Sequence, residues 1–371
     1  MPQSVKRLLR FVRAETVLSV AVVLAVLSAF VVPPDAEYTG YIDWETLALL
    51  FSLMAVMKGF QQAGLFGCLG GRLLRRVRTS RGMLLVLVFL PFFFSMIVTN
   101  DVSLITFVPF AFTVLTMAGQ RRLMIPLVVL QTVAANLGSM FTPMGNPQNL
   151  YLYGRAGMSF GALCGLMLPY VAISGVCLVI LVLVQKSETI QHVQVDTAVA
   201  RPGRLAVYLA GFALCLLGIF DLVPPLAIAA VVAVYLLITD RHLLAQVDYS
   251  LLGTFVAFFV FIGNAGRIGP FRDFLVAALD GRVELVAVLA SQVISNVPAA
   301  LLLSGFTQDW PALIVGCNLG GLGTLIASMA SLISYKQIVR EAPQLRGKYF
   351  LWFTLCNVGL LLLLLAAGLL L

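Results

Sequence analysis

Charge is what this chain has least of. Asp, Glu, Lys and Arg supply 11% of its 371 residues against 61% hydrophobic, too little polar surface to clothe a water-soluble globule. A large soluble domain is thereby excluded, and the only long polar interval runs from Gln185 to Gly203. Histidine is nearly missing. His192 lies in that interval and His242 in a charged turn, and neither has the neighbours of a metal or catalytic site. The six cysteines show no CxxC pairing, and all but one (Cys164, Cys177, Cys215, Cys317, Cys356, with Cys68 the exception) fall in apolar segments where a thiol acts as a small hydrophobe. No disulfide framework is read from them. No nucleophile stands with a base or metal cluster, so the chain does not read as an enzyme. The net charge of +8 is scattered over loops instead of gathered on one face, which argues against nucleic acid. Rings of like charge, the mark of a channel filter, are also missing.

Present instead are many apolar runs of the length that crosses about 30 Å of hydrocarbon, so the expected class is an all-α polytopic membrane protein. Nine full crossings are expected at roughly 15–32, 44–66, 123–153, 160–184, 204–220, 225–239, 249–266, 311–335 and 349–371. The first resembles a signal peptide, with Lys6, Arg7, Arg10 and Arg13 before it, but it has a counterpart in the second half and is assigned to the fold. Two further stretches, 83–117 and 284–307, carry Thr99-Asn100-Asp101 and Ser295-Asn296-Val297 at their middles. Such groups facing lipid cost several kcal/mol, whereas at the tip of a half-depth loop they face a cavity, so both are drawn as re-entrant helical hairpins. This drawing places Arg72, Arg75, Arg76, Arg78, Arg81, Arg121, Arg122, Lys186, Arg201, Arg204, Arg241, Lys336, Arg340, Arg346 and Lys348 on the cytoplasmic side with the N-terminal cluster. Only Arg155, Arg267, Arg272 and Arg282 fall outside, in accord with the positive-inside rule for a bacterial inner membrane protein with a cytoplasmic N-terminus.

The halves repeat. Val31-Val32-Pro33-Pro34 matches Leu222-Val223-Pro224-Pro225, and Asp43-Trp44 with Gly64-Leu65-Phe66 matches Asp248-Tyr249 with Gly269-Pro270-Phe271. Thr99-Asn100 matches Ser295-Asn296, and Asn136-Leu137-Gly138-Ser139 with Thr142 matches Asn318-Leu319-Gly320-Gly321 with Thr324. An odd number of crossings between them inverts the second unit, giving an inverted repeat over 1–184, a cytoplasmic linker over 185–203 and a second repeat over 204–371. Within each repeat the crossing after the hairpin is rich in Gly, Asn, Pro and Thr. Pro143 and Pro147 remove helix donors, so the 123–153 helix is expected to unwind, exposing carbonyls to a cation and helix N-termini to an anion. The segment from Asn318 to Ser331 suits the same role, although Gly320, Gly321 and Gly323 also suit close helix packing. Asp101, the one acid of its apolar stretch, either couples a cation or caps a helix. Lys58 either snorkels to the interface or draws an anion inward, with Gln61, Gln62, Asn264 and Arg267 along the same path.

Four segments, TNDVSLITFVP, ANLGSMFTPMGNPQN, SNVPAALLL and NLGGLGTLIASMASLISYK, resemble the signatures of the ion transporter superfamily, which holds divalent anion:sodium symporters, citrate transporters, arsenite permeases and related antiporters. The symporters carry Ser-Asn-Thr at each tip. Asp101 and Val297 depart from that pattern, and the Asn-Asp pair is more like the arsenite permease and antiporter branch. The resemblance implies a homodimer with an elevator motion and a small anion whose transport is coupled to sodium or protons. It implies substrate contacts at Thr99, Asn100, Asn146, Asn149, Ser295, Asn296 and Thr324 and coupling-ion contacts at Asp101, Asn136, Gly138, Thr142, Asn318 and Gly320. Sodium is expected at Asn100, Asp101 and Gly138 and at Asn296 and Asn318, with no other cofactor. A sodium/proton antiporter with no organic substrate is the alternative.

Overall fold

A computed structural model describes Val12, residues 15–190 and residues 202–370. Lys6, Arg7, Arg10, Arg13, His192 and Arg201 lie outside the described residues. Among those described the chain is helical and forms no strand, only an isolated bridge between Thr79 and Thr189.

The first half contains α1 (Thr16–Val31), α2 (Trp44–Gln62), α3 (Leu65–Leu74), α4 (Ser80–Phe94), α5 (Asn100–Met117), α6 (Met124–Ser139), α7 (Pro147–Ala156) and α8 (Phe160–Leu183). The second contains α9 (Pro202–Ile219), α10 (Pro225–Thr239), α11 (Tyr249–Arg267), α12 (Gly269–Leu279), α13 (Val283–Ile294), α14 (Asn296–Ser304), α15 (Trp310–Leu319), α16 (Met329–Glu341) and α17 (Arg346–Gly368). Local chemistry marks their starts. Asp43 accepts from the Thr46 amide at 3.0 Å and Asp248 from the Leu251 amide at 3.0 Å, so the matched Asp residues cap the matched helices α2 and α11.

Five helical stretches are long and apolar enough to cross a bilayer, and α2 with α3, bent by 53°, makes a sixth. Nine continuous crossings were expected, and the difference has two causes. Helices α1 and α10 and the apolar stretch Gly203–Ile219 of α9 are shorter than 18 residues, and the expected crossing 311–335 is split into two short helices, while 123–153 is split but keeps one span-length stretch, Arg121–Ser139. The two expected hairpins also differ. Helix α5 has 18 residues, span length in its own right, whereas α13 and α14 have 12 and 9.

Within each half the helix before the Asn motif lies on the middle helix, α4 on α6 and α13 on α15. Motif glycines permit this approach. A methyl on Gly138 would strike the Phe92 carbonyl, and one on Gly320 would lie 2.6 Å from Ser291 Oγ. The halves then exchange partners: α7 packs on α14 and α15, while α16 packs on α5 and α6. Around this centre α2 holds α9 and α10, and α1 runs along α11, tied by Asn264 Nδ2 donating to Ser28 Oγ at 3.0 Å and to the Tyr38 hydroxyl at 2.8 Å.

The polar interval begins as a docked strap. Ser80 N donates to Glu188 O at 2.8 Å, Ile190 N to Arg78 O at 3.1 Å, and Arg81 Nη2 to Gln185 O at 2.9 Å. Glu188 also accepts from Gln120 at 3.2 Å and pairs with Arg122. One hexapeptide thereby joins the start of α4 to the connection between α5 and α6.

Candidate functional site

Proline and glycine open the two middle helices where the sequence required it. After Ser139 the chain leaves α6, passes a short 3-10 turn at Pro143–Gly145 and restarts at Pro147, with Asn146 accepting from the Asn149 amide at 2.9 Å. After Leu319 the chain stays irregular until Met329. Gln292 of α13 holds this second break: its amide donates to Gly320 O at 2.9 Å and Leu322 O at 3.0 Å, and its oxygen accepts from Thr324 N at 2.9 Å.

The two tips, where α4 gives way to α5 and α13 to α14, use Asn in the same way. Asn100 Oδ1 accepts from the Asp101 amide at 2.9 Å, and Asn296 Oδ1 accepts from the Val297 amide at 3.0 Å. The second tip is strained: Ser295 has φ 74° and ψ 152°, a region that costs a non-glycine residue about 1–3 kcal/mol. It is held there by Asn296 N donating to Ala327 O at 2.9 Å.

A continuous amide network joins the tips to the breaks. Asn100 Nδ2 donates to Asn136 Oδ1 at 3.1 Å, which also accepts from Ser328 Oγ at 3.0 Å, and Asn136 Nδ2 reaches Ser331 Oγ at 3.4 Å. Ser139 Oγ donates to Asn136 O at 2.9 Å and accepts from Asn146 Nδ2 at 3.2 Å. Asn146 continues to Asn318 Oδ1 at 3.2 Å, and Asn318 Nδ2 donates to Asn149 Oδ1 at 2.6 Å. Asn149 in turn donates to Met140 O at 3.1 Å and Thr142 O at 3.3 Å, while Thr142 Oγ1 donates to the Met96 carbonyl of the first tip. Asn100, Asn136, Asn146, Asn149, Thr142 and Asn318 are thus brought together, all buried. Asn296 joins through the backbone at Ala327 and its amide lies against Gly321. Thr324 stands apart, exposed and bonded to Gln292.

Asp101 sits in the first turn of α5, where the helix dipole favours negative charge. Its Oδ1 is buried without a hydrogen-bond partner. A cavity of about 300 Å³ opens beside it, lined also by Thr99, Asn146, Lys58, Glu15 and Asp248. A second of about 290 Å³ shares Glu15 and Asp248 and runs to Val297, Pro298 and Lys336. Of the residues expected along the path to Lys58, Gln61 bonds Lys58 and Gln62 bonds Gln246 Oε1 at 3.4 Å. Asn264 and Arg267 are not on it: Asn264 binds α1, and Arg267 pairs with Asp35 at 2.7 Å.

Sequence reasoning passed over Gln292, whose role depends on a loop nearly thirty residues away in sequence and carries no local signal. It also passed over Glu15 and Asp248 as cavity walls and over Gln148, whose amide is buried with neither end bonded. A lone Gln between Pro147 and Asn149 was the available hint.

Comparison with known proteins agrees with this geometry. The citrate transporter family model matches residues 8–308. Inner membrane protein YbiR of Escherichia coli is 32% identical over 84% of this chain and 84% of its own length. An uncharacterized transporter of Methanocaldococcus jannaschii is 31% identical over 81% of this chain and 82% of its own. The silicon efflux transporter LSI3 of rice is 34% identical over 35% of this chain and 26% of its own. By the extent of these matches the chain belongs to the citrate transporter family, within the ion transporter superfamily, and is a polytopic membrane transporter.

Proposed function

We propose that the chain is a secondary carrier that moves a small anion, a carboxylate or inorganic oxyanion, across a bacterial inner membrane, driven by sodium or protons. In this reading the two halves are inverted repeats, α4–α5 and α13–α14 are re-entrant hairpins, and the tips with the breaks beside them travel as an elevator within a homodimer. The observation that carries it is the unbroken run of buried amides from Asn100 to Asn149 next to an unpartnered carboxylate at Asp101. Buried amides are stable only with partners, and a carboxylate without one calls for a cation. Hydroxyl, amide and backbone N–H groups at Thr99, Asn100, Asn146, Asn149, Ser295 and Asn296 then hold the anion, and Asp101 holds the coupling ion. The cavity's charge favours a second reading. Among the described residues Glu15, Asp101 and Asp248 line it with one lysine, a balance that suits a cation/proton antiporter with no organic substrate.

Thermal-shift titration of the purified protein separates the two. Sodium together with citrate, succinate, sulfate, arsenite or silicate is expected to raise Tm, since stabilisation grows as RT ln(1 + [L]/Kd). Asp101→Asn is expected to lose the sodium response, and Asn100→Ala/Asn296→Ala the anion response. An anion that stabilises the double variant as well as the native chain overturns the site. Cation flux in proteoliposomes with no anion dependence selects the antiporter.

A further inference from the structure

Among the described residues Lys58 is the one cation lining the cavity beside Asp101, and it carries no ion pair within 4 Å there. Its Nζ donates only to Gln61 Oε1, at a long 3.4 Å. Gln61 Nε2 donates onward to Thr106 Oγ1 at 3.3 Å, so the ammonium is held toward a point on α5 five residues past Asp101, about 7.5 Å along the helix. Leu50, Leu53, Val102 and Ile105 supply apolar walls of the same cavity. Across a low-dielectric cavity opposite charges attract more than they do in water, and a four-carbon stem lets the ammonium swing.

We propose that Lys58 is a tethered competitor for sodium at Asp101. When the ion leaves, the ammonium moves from Gln61 to the carboxylate, so the unloaded carrier never holds a bare charge in a low-dielectric cavity. When sodium arrives, Lys58 returns to Gln61. This rests on the reading that the coupling ion binds at Asp101, and it assigns that ion to sodium.

The test is a sodium chloride titration of the purified full chain followed by thermal shift, with choline chloride holding ionic strength constant. Lys58→Gln and Lys58→Met are expected to reach half-saturation at about tenfold lower sodium, since a nearby opposing charge has been removed. Lys58→Arg keeps the charge and is expected to stay near the native value. Unchanged or weaker sodium binding in both neutral variants, or no sodium response in either, overturns the proposal. Loss of the citrate or sulfate response with sodium binding unaltered overturns it in favour of Lys58 as an anion anchor. If Asp101→Asn still responds to sodium as the native chain does, the ion is elsewhere and the underlying reading fails, whatever the Lys58 variants do.

Discussion

Asn318 donates to Asn149 Oδ1 at 2.6 Å while its own oxygen accepts from Asn146 at 3.2 Å, so one amide from the second half is gripped at both ends by the first. Its nitrogen also donates to Ile314 O at 2.8 Å, which fixes the side chain against its own helix. Truncation by Asn318→Ala strands Asn149 Oδ1 and weakens Asn146 in a buried setting. We expect a loss of about 2–4 kcal/mol, read as a lower Tm. A cycle with Asn149→Ala should be non-additive, because both singles break the same bond.

Gly138→Ala should be severely destabilising. The added methyl meets the Phe92 carbonyl, and backbone cannot swing aside as a side-chain tip does. A cost above about 3 kcal/mol and a sharp fall in folded yield are expected. Gly154→Ala is the control: nothing lies within 4 Å of its added methyl, and the helix should gain up to about 1 kcal/mol.

Gln292→Ala removes the clasp on the second break, where one side chain bonds Gly320, Leu322 and Thr324. Hydrogen exchange over residues 320–327 should accelerate, with a loss of about 2–3 kcal/mol. Exchange in the first break, residues 140–146, should be unchanged, because no Gln292 bond reaches it.

The turn before α2 should respond to acid. The Arg267 guanidinium donates to Asp35 and, with the Glu37 and Tyr38 amides, holds its carboxyl below the ordinary 3.8. A lowered folded-state pKa contributes stability above the unfolded value, and that contribution is lost as pH falls through the folded one. Arg267→Gln should therefore have a slightly lower Tm than the native chain at pH 7, and the difference should shrink as pH drops below about 4.

Much of the candidate site was legible in the residues. Asn and Asp at the centres of apolar stretches must find partners, which singled out Asn100, Asp101, Asn136, Asn296 and Asn318 before any geometry. Pro143, Pro147 and the glycines located the breaks for the same kind of local reason. Thr324 was misleading because an exposed and a buried hydroxyl look alike in a polar segment.

Composition and local chemistry by themselves determined that the chain is helical and membrane-bound, where α2 and α11 begin, and where the middle helices open. These depend on solvation and on residues within one turn of each other. Tertiary structure alone decided that Asn146 and Asn149 of one half clasp Asn318 of the other, that Gln292 pins a distant loop, and that Lys58 and Asp101 line one cavity. Those outcomes depend on which helices pack together, and apolar surfaces in lipid attract one another too indifferently for a hydrophobic pattern to choose.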